Sequence, residues 1–228
     1  MSELARAGAP DRGARVCLAE QQTAGRGRRG RAWISPPGGN LYLSVSWSFA
    51  GGAELLQGLS LAVGVVLCDA LEQHGASGLS LKWPNDALRH GRKLAGILVE
   101  VQTTTAGTPS VIIGVGINVR VPPFESAAIE QPWADLRDIN LSRNELAAAF
   151  LDRLLPLLAC YADTGFEPFR RPWEARHAHA NRLVTIEQAG ELTVGRAAGV
   201  DGTGALMLET AEGTLTIHGG EVSLRLQS

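Results

Sequence analysis

The chain has 228 residues, a formal net charge of −2, 45% hydrophobic and 19% charged residues. That suits one large domain, or one domain with a small appendage, and counts against a generally basic, nucleic-acid-binding surface. No apolar run reaches membrane-spanning length uninterrupted, and Met1-Ser2-Glu3-Leu4-Ala5-Arg6 holds no signal-peptide core. Cys17, Cys68 and Cys160 are too scattered for a metal motif or disulfide framework. They read as small buried hydrophobes in a cytoplasmic protein.

In chain order, Val16-Cys17-Leu18-Ala19 reads as a strand. The loop Gly25-Arg26-Gly27-Arg28-Arg29-Gly30-Arg31 follows, with Trp33 just beyond it. Four guanidinium groups and three glycines in seven residues concentrate positive charge in an otherwise acidic chain. Arginine forks suit phosphate and carboxylate oxygens, and glycine allows close backbone approach. A small anionic ligand, a nucleic-acid backbone and a merely solvated loop all fit that composition.

Leu41, Leu43, Val45, Trp47 and Phe49 alternate with polar residues, the pattern of a half-buried strand. Glu54–His74 has helical spacing and ends before Gly75. Leu79–Trp83 is a short strand stopped by Pro84, with Asn85 and Asp86 as turn residues. Leu94–Val101 and Val111–Val119 read as strands joined by a hairpin-like loop over Thr103–Pro109. Lys93 opens the first of them, either snorkelling to solvent or pointing into a pocket. Gly114 and Gly116 inside the second imply that something approaches the backbone there, and Asn118 stands at its end.

Pro122, Pro123 and Pro132 mark an irregular connection. Ser142-Arg143-Asn144-Glu145 is a capping-box signature for a helix through Leu146–Cys160, which Pro156 should bend or end. Phe166–His177 reads as a further short helix. His177-x-His179 sits in a charged segment between the two units and reads as a surface pair. Leu183–Glu187, Leu192–Val200, Ala205–Glu209, Thr214–His218 and Val222–Leu226 are five short strands between Gly-containing turns, which argues for a small barrel. No P-loop or Rossmann fingerprint is present.

Taken together, Ala19–Arg31, Trp33, Gly39-Asn40-Leu41-Tyr42, Lys82-Trp83-Pro84-Asn85-Asp86, Lys93-Leu94-Ala95-Gly96, Gly114-Val115-Gly116-Ile117-Asn118 and Gly219-Gly220-Glu221-Val222-Ser223-Leu224-Arg225 resemble the biotin protein ligases. The resemblance runs over essentially the whole chain. It implies an α+β fold: a mixed-sheet catalytic domain of class II synthetase and lipoate-ligase type over residues 1–178, and a small SH3-like barrel over 179–228. It also implies activation of biotin by ATP to biotinyl-5′-AMP, followed by transfer to a lysine of a biotin carboxyl carrier domain of acetyl-CoA carboxylase.

Carried over by motif, Gln22, Arg26, Gly27, Arg28, Lys93 and Gly96 would form the biotin site, with Lys93 and Arg28 catalytic. Arg28, Arg31, Trp33, Asn85, Lys93 and Asn118 would hold the nucleotide, with Glu221 and Arg225 reaching back from the barrel. Asp86 would lie near phosphate or Mg²⁺. The loop would also close over the reactive anhydride and exclude water. The resemblance implies no membrane contact. Edge strands near the loop leave room for a homodimer.

The chain departs from the family pattern in two ways. It has no room for an N-terminal DNA-binding domain, and Glu3–Pro10 resembles the end of a first helix whose Ser/Thr-Asn biotin motif is missing. The alternatives are therefore a lipoate-type ligase, a biotin-binding protein with impaired turnover, and a nucleic-acid-binding module using the arginine loop.

Overall fold

The computed structural model describes residue 4 and residues 13–49, 52–103, 109–122, 131–188, 191–218 and 223–226. Apart from Leu4, the Glu3–Pro10 segment lies outside them, as do residues 104–108 and Glu221.

The larger sheet has six strands: β1 (Ala14–Ala19), β2 (Leu41–Ser48), β3 (Leu79–Lys82), β4 (Asp86–Arg89), β5 (Arg92–Thr103) and β6 (Pro109–Ile117). They lie in the order β1-β2-β6-β5-β4-β3. Every neighbouring pair is antiparallel. Among the described residues parallel pairing is confined to two isolated bridges, Leu81 to His177 and Lys93 to Trp133, so the ladder is antiparallel where a mixed sheet was expected. The segment Asn85-Asp86, expected as a turn only, opens the additional strand β4, because Asp86–Arg89 pairs with both neighbours.

The two faces of this sheet differ in composition. Leu43, Val45, Ile97, Ile113 and Val115 point to one side and are fully buried. There they meet α1 (Leu59–Gln73) and α2 (Arg143–Thr164). Gly64 of α1 lets that helix settle on Leu81 and Ile97, where an added Cβ would lie 3.1 and 3.6 Å from their methyls. The apolar length of α1 serves the core: apolar residues from Leu59 to Leu71 are buried around the helix. It starts later than expected, because a short 3-10 turn (Ala53–Leu56) precedes Gly58, whose φ of 73° breaks the helical path.

The capping box at Ser142 and Glu145 forms as expected. Pro156 does not end α2. Its missing N–H would have bonded the carbonyl of Asp152, and both residues are exposed, so water can satisfy that oxygen. A short helix α3 (Glu167–Glu174) follows.

β2 is buried on both faces, not half-buried. Tyr42, Ser44 and Ser46 lie under the loop side of the sheet, and the Tyr42 hydroxyl donates to the Pro36 carbonyl at 2.9 Å.

The smaller sheet has five antiparallel strands: β7 (Leu183–Gln188), β8 (Glu191–Val200), β9 (Leu206–Thr210), β10 (Gly213–Ile217) and β11 (Ser223–Leu226). Their order is β10-β9-β8-β7-β11, which agrees with an SH3-like unit. Its inward residues Val184, Ile186, Ala197, Leu206 and Leu208 are buried. Trp83, 2% exposed, ties the two sheets together by donating its indole N–H to the Gly204 carbonyl at 3.0 Å.

Two expectations fail on burial. His177 and His179 are 8% and 7% exposed, not on the surface. Trp173 packs on the His177 ring at 4.6 Å, and the Leu81 bridge draws that segment onto β3. Burial pulls both imidazole pKa values down to about 4. Of the three cysteines only Cys68 is buried; Cys17 lies on the edge strand and Cys160 on the open side of α2.

Candidate active site

The second face of the large sheet carries the chemistry. Residues opposite one another across strands share a face. One such row runs Ala19, Tyr42, Gly116, Gly96, Asp86. The next runs Cys17, Ser44, Gly114, Leu98. Small residues thus gather in mid-sheet and leave a shallow floor.

The indole of Trp33 lies on that floor. A Cβ at Gly116 would sit 2.6 Å from its Cε2 and 2.7 Å from its Nε1, and one at Gly96 would sit 3.1 Å from its Cζ3. Close approach was expected at these glycines; the group approaching is a side chain of the same protein. Two open grooves lie elsewhere. One of about 600 Å³ is lined by residues including Gly39, Arg120 and Arg137. The other, about 310 Å³, lies between the two sheets beside Trp83 and Thr203.

The arginine loop is a closed, self-bonded turn. Trp33 N–H donates to the Gly25 carbonyl at 2.9 Å and Gly27 N–H to the Arg31 carbonyl at 2.7 Å, and Arg26 bridges Ala32. Gly25 has no room for a side chain: a Cβ would lie 2.5 Å from the Trp33 carbonyl oxygen and 2.8 Å from Ser35 Oγ. Gln22 stands at the loop's base, its Oε1 accepting from Ser35 Oγ at 2.9 Å.

The arginines diverge. Arg26 faces Glu100 at 3.6 Å. Arg29 and Arg31 are exposed at the tip. Only Arg28 turns inward. Burial lowers its pKa from the ordinary guanidinium value, and Asp86 is the first group acting against that shift.

Lys93 completes the site. Its Nζ is 2.9 Å from Asp86 Oδ1, with the two side chains 18% and 16% exposed, and 5.4 Å from the Trp33 ring centroid. Lys93 and Gly96 are three residues apart, so a regular strand would put them on opposite faces. They share a face because β5 carries a bulge. Ala87 opposes Ala95 while Leu88 opposes Lys93, leaving Leu94 as the extra residue. Leu94 and Ala95 are both buried toward the helices as a result. The bulge therefore aims the lysine at the loop.

Asn85 and Asn118 hold backbone. Asn85 Nδ2 donates to the Ile97 carbonyl at 2.9 Å. Asn118, 5% exposed, donates to the carbonyls of Ala134 at 3.2 Å and Lys93 at 3.4 Å. Both side chains thus brace the backbone around Lys93 and Ile97. Arg225 lies on β11, paired with Thr185. The structure thus brings Arg26, Arg28, Trp33, Asp86, Lys93 and Gly96 to one face, with Gln22 and Gly27 in the loop beside it. Glu100, Ser35 and Gly116 belong with them and were absent from the expected set. Of these, only Gly116 left a sequence signal, as a glycine inside a β-branched strand.

A profile described as the biotin/lipoate A/B protein ligase family matches residues 9–118, and one for the biotin protein ligase C-terminal domain matches residues 179–225. The chain is 35% identical over 216 residues to the biotin–[acetyl-CoA-carboxylase] ligase of Paracoccus denitrificans, covering 90% of this chain and 88% of that protein. The chain belongs to the biotin protein ligase family. It is also 41% identical over 212 residues to the bifunctional ligase/repressor BirA of Escherichia coli, covering 92% of this chain. The match spans about two thirds of that relative, 66% of its length. The biotin protein ligase of Aquifex aeolicus, solved in complex with biotin and ATP, superposes with a TM-score of 0.78 at 28% identity, covering 93% of this chain and 89% of that one.

Proposed function

We propose that this chain is a biotin–protein ligase. A carboxylate oxygen of biotin attacks the α-phosphorus of ATP, the bond to pyrophosphate breaks, and biotinyl-5′-AMP forms. A deprotonated lysine amine of a biotin carboxyl carrier domain then attacks the acyl carbon. The C–O bond to the phosphate breaks, AMP leaves, and an amide remains.

The observation that carries this reading is that Lys93 and Arg28 both act on Asp86, beside one glycine-floored face. The first step brings two anions together, and two fixed cations in a partly desolvated site offset their repulsion and the growing phosphorane charge. Asp86 holds Lys93 in the free protein; incoming anions compete for the same ammonium. The indole of Trp33, laid over Gly96 and Gly116, offers an apolar surface to a thioether-containing ring. Arg225 and Glu221 enter this reading through the motif alone.

Magnesium fits as part of the nucleotide, not as a resident ion. Among the described residues no three His, Cys, Asp or Glu side chains come together, and Asp86 is already paired with Lys93. Magnesium readily stays on phosphates with few protein ligands.

Biotin-dependent ATP–pyrophosphate exchange tests the proposal. Exchange should require biotin and not run with lipoate. No exchange with biotin, or equal exchange with lipoate, would refute it. Homodimerisation is part of the same reading, because β1 forms a sheet edge that exposes Val16 and Leu18. Sedimentation equilibrium should show a dimer that an L18K variant dissociates; a monomer at every concentration contradicts it.

A further inference from the structure

The site depends on a segment that touches no expected ligand. Residues 131–139 run as a strap beside the bulge of β5. Lys93 N–H donates to the Pro132 carbonyl at 3.0 Å, and Ala134 N–H donates to the Lys93 carbonyl at 2.9 Å. The Ala134 carbonyl takes the Asn118 amide, and Leu136 N–H bonds the Val119 carbonyl at 3.0 Å. Asp135 Oδ2 accepts from Val121 N–H at 3.1 Å. The strap therefore brackets the residue whose direction the bulge sets.

Beside these contacts, Arg89 pins the strap to β4. Arg89, at the end of β4, is 6% exposed. Its Nη1 donates to the Asp135 carbonyl at 2.9 Å. Its Nη1 and Nη2 form a fork on the two carboxylate oxygens of Asp138 at 2.5 and 2.8 Å. Its Nε reaches the Ser77 carbonyl at 3.4 Å. A buried guanidinium that satisfies two carbonyls and a carboxylate fixes orientation through several rigid donors at once. The fork also holds the Asp138 carboxyl down to about 2, so it stays ionised at any pH suited to adenylation.

We propose that Arg89 is a positioning residue for adenylation, acting through the 131–139 strap on Lys93. This rests on the ligase reading above. Without the fork the strap loses its anchor on β4, and the bracket around Lys93 loosens while the sheet beneath stays folded.

The test compares R89L, R89K and R89L in a K93A background, alongside the native chain. In R89L the kcat of biotin-dependent exchange should fall about ten- to a hundredfold, the scale of a misplacement near 1 Å. The KM for biotin should move less than about threefold, because ground-state binding is not what the strap supplies. R89K keeps the charge but not the fork, and should recover about threefold or more of the loss. In the K93A background R89L should cost less than about twofold, since two residues that act as one unit are not additive. Hydrogen exchange of the Lys93 and Ala134 amides should quicken about tenfold in R89L while the mid-sheet amide of Ile113 is unchanged.

Native kcat in R89L, an equal loss with and without Lys93, or equal quickening at Ile113 would each overturn the proposal. If the native chain shows no biotin-dependent exchange, the ligase reading fails by itself. The amide measurement then still decides whether Arg89 holds Lys93.

Discussion

Replacing Lys93 with alanine lowers the rate of biotinyl-5′-AMP formation about a thousandfold, the upper range for removing one preorganised donor to a developing oxyanion. The ammonium lies in a partly desolvated site between Asp86 and the Trp33 ring, where a charge acts more strongly than in water. It has no substitute: Arg26 is engaged with Glu100, and Arg29 and Arg31 point outward. The same change leaves Asp86 without its partner, and the fold should lose about 1–2 kcal/mol, less than a fully buried pair would because both side chains reach water. Single-turnover formation of the adenylate, with a melting curve beside it, separates the two effects. A rate within tenfold of native would remove Lys93 from the chemistry.

Replacing Gly116 with valine should abolish function by a different route. The new Cβ would lie 2.6 Å from Trp33 Cε2, so the indole must lift by about 1 Å to reach ordinary carbon contact. Valine's branches push further. Adenylation should fall about a hundredfold or more through lost alignment, and stability by about 1–3 kcal/mol through overpacking. Valine suits a strand, and the helix-side core beneath Gly116 is untouched, so circular dichroism should stay native. The double variant with Trp33→Ala decides the cause. It should regain stability, because the clash is gone, but not adenylation. Equal destabilisation with and without Trp33 would show that the floor is not what Gly116 provides.

The sequence made some of this legible. The strand carrying Gly114 and Gly116 announced a close approach, which Trp33 makes at Gly116. Five short strands before the C-terminus were placed to within about one or two residues of those seen, the usual uncertainty of such boundaries. Other features depend on pairing that no local pattern records. Lys93 faces the loop only because Leu94 is an extra residue in the ladder, and a bulge leaves no mark in composition. The His177 and His179 burial comes from Trp173 nearby and from β3, which lies far off in the chain. Arg89 carried no signal in the sequence, because its partner Asp138 is 49 residues away. Asn85 and Asn118 came to the nucleotide through the motif alone, and their bonds to the carbonyls of Ile97, Ala134 and Lys93 leave no local mark in the sequence.

The central claim is that one sheet face brings the biotin carboxylate to the α-phosphorus of ATP. It is tested most directly by following a labelled oxygen. The chain would be supplied with biotin whose carboxylate carries heavy oxygen, ATP, and a biotin carboxyl carrier domain, and the products read by mass spectrometry. The account predicts one biotinyl group on a carrier lysine and one labelled oxygen in AMP. Label in inorganic phosphate or pyrophosphate, or an unmodified carrier, would contradict it.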